Sequence, residues 1–375
     1  MSEGPIPKPE KLPPLTRPTE QQGKPPIPAP PDRRVGFALV GVGHVALEQV
    51  LPGFRQCERA KLTAIVSGHP DKARDVARQY DVPPERVFSY EDYDRLKDVE
   101  EVEAVYIALP NDMHCEYTVR AAQAGKHVLC EKPMANSVEE GQRMIDACRE
   151  ADRLLMIAYR CQYEPHHLAM IRLSREQAFG ELRVIEANNG QNQGNPNQWR
   201  LNLAEAGGGP LPDVGIYCLN AARYLTGEEP IEVTATNLRN PRDPRFQEVV
   251  ETTTFTLRFP SGVLAVCTCS YAYHETRTLR VLAERGWYEL NPAFSYADLR
   301  MKVGYAHEES NYVEERRLPQ KNHFALEIDH FADCIRNGRK PHTPGEEGLQ
   351  DLRVIDAICE SAGSGRPVSL PRVEG

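Results

Sequence analysis

No apolar run in this sequence approaches the roughly 18 residues of a membrane-spanning helix, so none is expected. Positive charge is also in short supply. The 45 Lys and Arg residues against 54 Asp and Glu leave a formal net charge of −9, which argues against a broad basic surface for nucleic acid. Ten cysteines are scattered with no C-x-x-C spacing. Cys267 and Cys269 form a lone C-x-C in a strand-like run, where alternation puts both on one face. They read as packed thiols rather than metal ligands. No disulfide framework is visible, which points to a reducing compartment and a cytoplasmic location. The twin Arg33-Arg34 before an apolar run resembles an export signal, but no A-x-A cleavage site follows before the next helical pattern. A periplasmic location follows only if a signal once preceded Met1.

Aromatic side chains are missing from residues 1–32, which hold 11 of the 31 prolines. That composition cannot build a core, so residues 1–32 read as a proline-rich arm, either a loose tail or an extended segment lying on a folded surface. The remaining length exceeds one hydrophobic core and predicts two domains.

From Val35 onward, strand and helix patterns alternate. FALVGVG, KLTAIVSG (61–68), VEAVYIALP (102–110), KHVLCEKP (126–133) and RLLMIAYR (153–160) read as strands. Helical stretches separate them, including 137–152 with Ser137 as N-cap and Glu140 three residues on. This predicts an N-terminal Rossmann domain over 33–158, with a doubly wound parallel sheet. Beyond it the texture changes to long alternating stretches such as EVTATNL, VETTTFTLRF and GVLAVCTCSYAY. Residues 159–375 therefore predict an α+β domain carrying a large, mostly antiparallel sheet with one open face. Such a face invites burial against a second copy, so a homodimer or homotetramer through these sheets is expected.

Between the first strand and helix, Gly41-Val42-Gly43-His44-Val45-Ala46 spells G-x-G-x-x-A. The first glycine makes the turn, the second lets backbone approach a pyrophosphate, and the small third residue lets helix and strand pack. The second strand then separates the two nicotinamide dinucleotides. An NAD enzyme usually places a carboxylate at its end, but here Ser67-Gly68 ends it and Lys72 follows. A hydroxyl and a cation suit the 2′-phosphate of NADP. Asp71 between them reads as an acid in a helix's first turn.

Together with that motif, ALPNDMH (108–114), GKHVLCEKPMA (125–135) and GGGPLPDVGIY (207–217) resemble the glucose–fructose oxidoreductase/inositol dehydrogenase (Gfo/Idh/MocA) family. The E-K-P run at Glu131, Lys132 and Pro133 is its signature. The match runs from Arg33 to about Pro367 and is closest to the glucose–fructose and aldose–aldose oxidoreductase branch. The resemblance implies an NADP that stays bound through turnover, held by an arm like 1–32. It also implies oxidation of one sugar to the lactone and reduction of a second sugar to the alditol. Residues 194–200 and 294–316 depart from the glucose–fructose enzymes and bear on which sugar accepts the hydride. A dehydrogenase releasing NADPH, and a non-enzymatic sugar or nucleotide sensor, remain the alternatives.

The resemblance also assigns residues. Lys132, Asp213 and Tyr217 surround the reacting carbon. Gly41, Gly43, His44, Val45, Ala46, Ser67, Gly68, Lys72, Tyr90, Leu109, Pro110, Asn111, His114, Glu131, Lys132, Arg160, Trp199 and Arg200 are placed at the cofactor. Arg160, Tyr163 and Tyr296 join the catalytic three at the sugar. A free tyrosine is a weak base at neutral pH, with a pKa near 10, and a neighbouring ammonium lowers it. Tyr217 is therefore expected to carry the proton, with Lys132 lowering its pKa and binding the sugar oxygen, and Asp213 either orienting the sugar or tuning the Lys132–Tyr217 pair. The i, i+4 spacing puts Asp213 and Tyr217 on one helix face.

Overall fold

The computed structural model describes residues 33–372, so the proline-rich arm lies outside the described residues. The described chain forms two compact units, one of 33–163 with 321–352 and one of 164–320 with 353–372.

The first unit is built on six strands: β1 (Val35–Val40), β2 (Ala60–Val66), β3 (Val87–Phe88), β4 (Ala104–Ile107), β5 (His127–Glu131) and β6 (Leu155–Ala158). Their order is β3-β2-β1-β4-β5-β6 and every pairing is parallel. Crossovers carry α1 (Leu51–Gln56), α2 (Pro70–Gln79), α3 (His114–Gln123) and α4 (Val138–Glu150). Parallel strands need such crossovers, and both sheet faces are then covered, which is why β1 is buried at all six positions. A wide π turn at Ala46–Val50 precedes α1. At α4 the Ser137 hydroxyl accepts the Glu140 N–H at 3.1 Å, as its spacing predicts. Glu140 returns a bond to the Asn136 N–H at 3.2 Å, one residue before the cap.

The second unit contains α5 (Pro165–Arg175), β7 (Leu182–Gly190), α6 (Leu203–Ala206), α7 (Ile216–Thr226) and strands β8 (Glu232–Leu238), β9 (Thr252–Arg258), β10 (Leu264–Ser270), β11 (Thr276–Ala283), β12 (Gly286–Leu290), β13 (Met301–His307) and β14 (Ser310–Arg316). After α8 (His323–Asn337) and α9 (Gly345–Ser364), β15 (Val368–Ser369) completes a nine-stranded sheet. Its order is β14-β13-β12-β11-β7-β10-β9-β8-β15, and only β7–β10 is parallel. Cys267 and Cys269 are both buried on one face of β10. The opposite face carries exposed Leu264 and Val266 in line with exposed Leu238 and Thr254.

Residues 159–163 and 321–352 are placed differently from the sequence reading, which kept all of 159–375 together: they belong to the first unit. Helix α8 lies within the second stretch. Its Phe324, Ile328, Phe331 and Ala332 share a core with Phe37, Leu39, Phe54 and Leu129, and Phe331 meets Phe37 ring to ring at 6.3 Å. An amphipathic stripe shows that a helix is buried but not on which sheet.

Candidate active site

Because β1–β6 are parallel, their carboxyl ends share one edge, and the predicted cofactor residues of this unit follow those ends. In open α/β sheets this edge binds ligands, at the point where strand order reverses beside β1 and β4. Gly41 follows β1 with φ +94°, and an added Cβ would lie 2.4 Å from the Ala108 carbonyl oxygen. Gly43 differs: an added Cβ would meet nothing within 4 Å. The chain therefore leaves room at Gly43 for a group from outside, as a pyrophosphate requires. His44 is exposed and pairs with Glu48 at 3.1 Å, and Val45 and Ala46 carry the chain into the π turn. This loop fits a dinucleotide.

At the end of β2, Ser67 is buried and its hydroxyl accepts the His69 N–H at 3.0 Å, keeping its own hydrogen to donate. Gly68 lies under Tyr90, where a Cβ would come within 2.9 Å of the ring. Tyr90 itself packs edge-on against Tyr117 at 5.4 Å. Lys72 is exposed on α2, while Asp71 pairs with Arg74 at 2.7 Å. The acid is thus directed to its own helix.

Leu109, Pro110 and Asn111 follow β4, while Glu131 ends β5 and Lys132 follows it. His114, which the resemblance places at the cofactor, is fully buried, with Nδ1 2.8 Å from the Pro133 carbonyl oxygen and Nε2 3.0 Å from that of Leu109. Burial lowers its pKa against the pull of those carbonyls. It ties the loop after β4 to the loop after β5. Glu131 Oε2 accepts the Lys132 backbone N–H at 3.3 Å, and Oε1 accepts the Tyr106 hydroxyl at 2.9 Å. Burial raises the Glu131 pKa, with Lys132, Tyr106 and Arg160 pulling the other way. Arg160 is buried, its Nη1 3.5 Å from His323 Nδ1.

Tyr163, expected at the sugar, is a core residue. It is 8% exposed within the first unit's apolar cluster, and its hydroxyl shares a 3.0 Å hydrogen bond with the Thr343 hydroxyl. The short helical turn Arg160–Tyr163 directs the ring inward.

The second unit gathers the other set. Gly207, Gly208 and Gly209 have φ of +73°, +145° and +74°, a path that side chains with a Cβ rarely follow. The bend feeds a wide π turn, Leu211–Gly215, that runs into α7. Across 211–225 every residue is buried except Asp213 and Tyr217, which are half-buried. The acid and the phenol are the two side chains of this stretch that reach the surface. Asp213 Oδ2 accepts Arg200 Nε at 3.1 Å and the Tyr271 hydroxyl at 2.6 Å. Arg200 lies over Trp199 at 4.5 Å. Burial lowers the Arg200 pKa, but the charge of Asp213, that of Tyr271, the hydrogen bond to Asp213 and the charge of Tyr296 together outweigh it, and the net shift is upward. Burial and the Asp213 charge push Tyr271 well up, so it stays a donor. Tyr296 is 40% exposed. The Tyr217 ring packs on Phe294 at 5.7 Å, and Phe294 stacks on His167 at 5.8 Å.

Sequence reasoning missed Tyr271, Phe294, Tyr106 and Glu327. Tyr271 ends an alternating strand and carries the same pattern as any core tyrosine. Among the described residues no cluster of three or more His, Cys, Asp or Glu could hold a metal, and no helix is long and apolar enough to cross a membrane.

A family model described as an oxidoreductase family with an NAD-binding Rossmann fold matches residues 35–159, and a GFO/IDH/MocA C-terminal domain model matches 167–289. A D-xylose 1-dehydrogenase (NADP+) of Haloarcula marismortui is 33% identical, covering 90% of this chain and 94% of its own length. A second D-xylose 1-dehydrogenase (NADP+), from Haloferax volcanii, is 29% identical over 89% of this chain and 99% of its own. Among solved structures, an aldose–aldose oxidoreductase from Caulobacter crescentus, complexed with glycerol, is 44% identical. It has a TM-score of 0.87 and covers 90% of this chain and 100% of its own.

Proposed function

Since the chain belongs to the Gfo/Idh/MocA oxidoreductase family, we propose that it is an NADP-dependent aldose oxidoreductase that retains its cofactor and moves hydride from one sugar to another. The observation that carries the substrate class is the 44% identity to the aldose–aldose oxidoreductase across 90% of this chain. Bound nicotinamide would supply the hydride acceptor and donor. Gly41, Gly43 and the turn into α1 would hold its pyrophosphate, with Ser67 and Lys72 at the 2′-phosphate.

The chain's own groups do the rest. The roles of Lys132, Asp213 and Tyr217 in this proposal are those that the family resemblance assigns to them. Tyr217 takes the proton of the C1 hydroxyl during oxidation and returns a proton to the alkoxide during reduction. The Lys132 ammonium favours the phenolate and binds the sugar oxygen. Asp213, held by Arg200 and Tyr271, orients the sugar. The same residues serve both half-reactions, as a ping-pong cycle requires. The open face of the nine-stranded sheet is the proposed dimer or tetramer surface. The cytoplasmic reading rests on the cysteine pattern of the sequence, which has no C-x-x-C spacing.

Absorbance near 340 nm tests the cycle. Protein purified without added nucleotide is treated with glucose, then with a second sugar such as xylose or fructose. A rise followed by a fall supports bound cofactor and alternating turnover. The two D-xylose dehydrogenase relatives favour a second reading, release of NADPH after each turnover. It wins if no nucleotide copurifies and activity requires added NADP. Bound nucleotide with no response to any sugar overturns both readings.

A further inference from the structure

One buried cluster in the first unit has a proton requirement that the proposed chemistry does not use. The Tyr106 hydroxyl stands between two carboxyls, 2.9 Å from Glu131 Oε1 and 3.3 Å from Glu327 Oε1. Tyr106 and Glu327 have no exposed surface. A phenol has one hydrogen to donate, so it cannot serve two carboxylates at once. Two ionised carboxyls this close in an apolar interior would also repel strongly. One of the two contacts must take its hydrogen from the carboxyl side.

The surroundings decide which. Glu131 accepts a second bond, from the Lys132 backbone N–H at 3.3 Å, and has the charges of Lys132 and Arg160 nearby. These favour its ionised form. Glu327 has only the longer contact to Tyr106, and its Oε2 is buried with no hydrogen-bond partner. Burial and the charge of Glu131 oppose its ionisation, and Arg160 is the cation set against them. The other titratable groups facing it are Cys161 and Tyr163 after β6 and Cys57 after α1, with His323 one turn earlier on α8. The proton therefore belongs on Glu327.

We propose that Glu327 is a positioning residue held as a neutral acid: it donates to the Tyr106 oxygen, Tyr106 donates to Glu131, and ionised Glu131 fixes the backbone of Lys132. A helix nearly 200 residues downstream thus anchors the loop after β5. The link to catalysis rests on the reading of Lys132 given above, while the protonation of Glu327 does not.

Infrared difference spectroscopy at pH 7.5, wild type minus Glu327→Gln, tests the proton. The carbonyl stretch of an undissociated carboxylic acid is expected in the wild type and absent from the variant. In turnover, Glu327→Gln keeps kcat and its pH profile within about twofold, because its amide N–H replaces the acid as donor. Glu327→Met has similar volume and no donor, and loses about tenfold in kcat with a shifted pH profile and little change in KM. If Glu327→Met does not fold, the infrared band and Glu327→Gln decide between them. The proposal is overturned by a wild type without the acid band, or by Glu327→Gln losing as much as Glu327→Met. A band present in protein that oxidises no sugar upholds the proton on Glu327 and sinks the hydride-transfer reading instead.

Discussion

Gly41 and Gly43 are glycine for different reasons, and substitution separates them. Gly41→Ala forces a Cβ toward the Ala108 carbonyl at a positive φ, so it should cost about 1–3 kcal/mol in thermal or denaturant unfolding. Gly43→Ala meets no protein atom, so unfolding should stay within about 0.5 kcal/mol of the parent. Its NADP affinity, titrated on nucleotide-free protein, should fall about tenfold as the pyrophosphate is pushed away. Equal affinities would remove the loop from the cofactor site. Tyr217→Phe removes the proposed proton carrier, and single-turnover glucose oxidation should slow by at least about a hundredfold with little change in KM. A rate within tenfold of the parent would take Tyr217 out of that role. The shared helix face of Asp213 and Tyr217 was legible beforehand, because their spacing and the glycine bend before them are local. Tyr271 was not, since its bond to Asp213 spans 58 residues and leaves no mark on the strand pattern. The burial of Tyr163 was not legible either: the resemblance put it at the sugar, and packing holds it in the core.

Elements are joined by side chains whose ionisation matters. His127 on β5 accepts the Leu154 N–H on Nδ1 at 2.9 Å, and His330 on α8 accepts the His342 N–H on Nε2 at 3.0 Å. A protonated ring could not accept either bond. Burial, with Arg153 for His127 and His342 for His330, pulls each pKa down to about 4. The folded value lies below the unfolded one of about 6.5, so the stability these rings contribute is full above pH 6.5. It is lost as pH falls toward 4. The melting temperature should therefore drop across that window. The double substitution His127→Gln, His330→Gln should flatten the drop, since an amide oxygen still accepts the N–H. A wild-type curve that is level between pH 6.5 and 4 would count against this account. Local patterns located β1, β2 and α4 well, but β13 and β14 were missed. Their turn contains Glu308 at φ +55° among charged residues, without the glycine that usually marks a hairpin.

At the scale of the molecule, the open face of the large sheet carries exposed Leu and Val side chains among threonines and charged residues. Leu264 and Val266 are 39% and 42% exposed and share that face with Leu238. Light scattering should report at least a dimer at micromolar concentration, and Val266→Glu with Leu264→Lys should shift it toward monomer. A parent chain that is monomeric there would refute the assembly. Removal of residues 1–32 should speed exchange of bound NADP against free nucleotide, and an unchanged exchange rate would dissociate the arm from retention.

The sequence by itself determined most of the strand and helix succession, the parallel sheet and the glycine turn after β1. Each rests on periodicity or on backbone freedom within a few residues. Only the tertiary structure decided that α8 completes the first unit's core, that Tyr163 is buried, and that Tyr106, Glu131 and Glu327 meet. Those outcomes depend on which distant surfaces exclude water together, and burial of that kind carries no short-range signal.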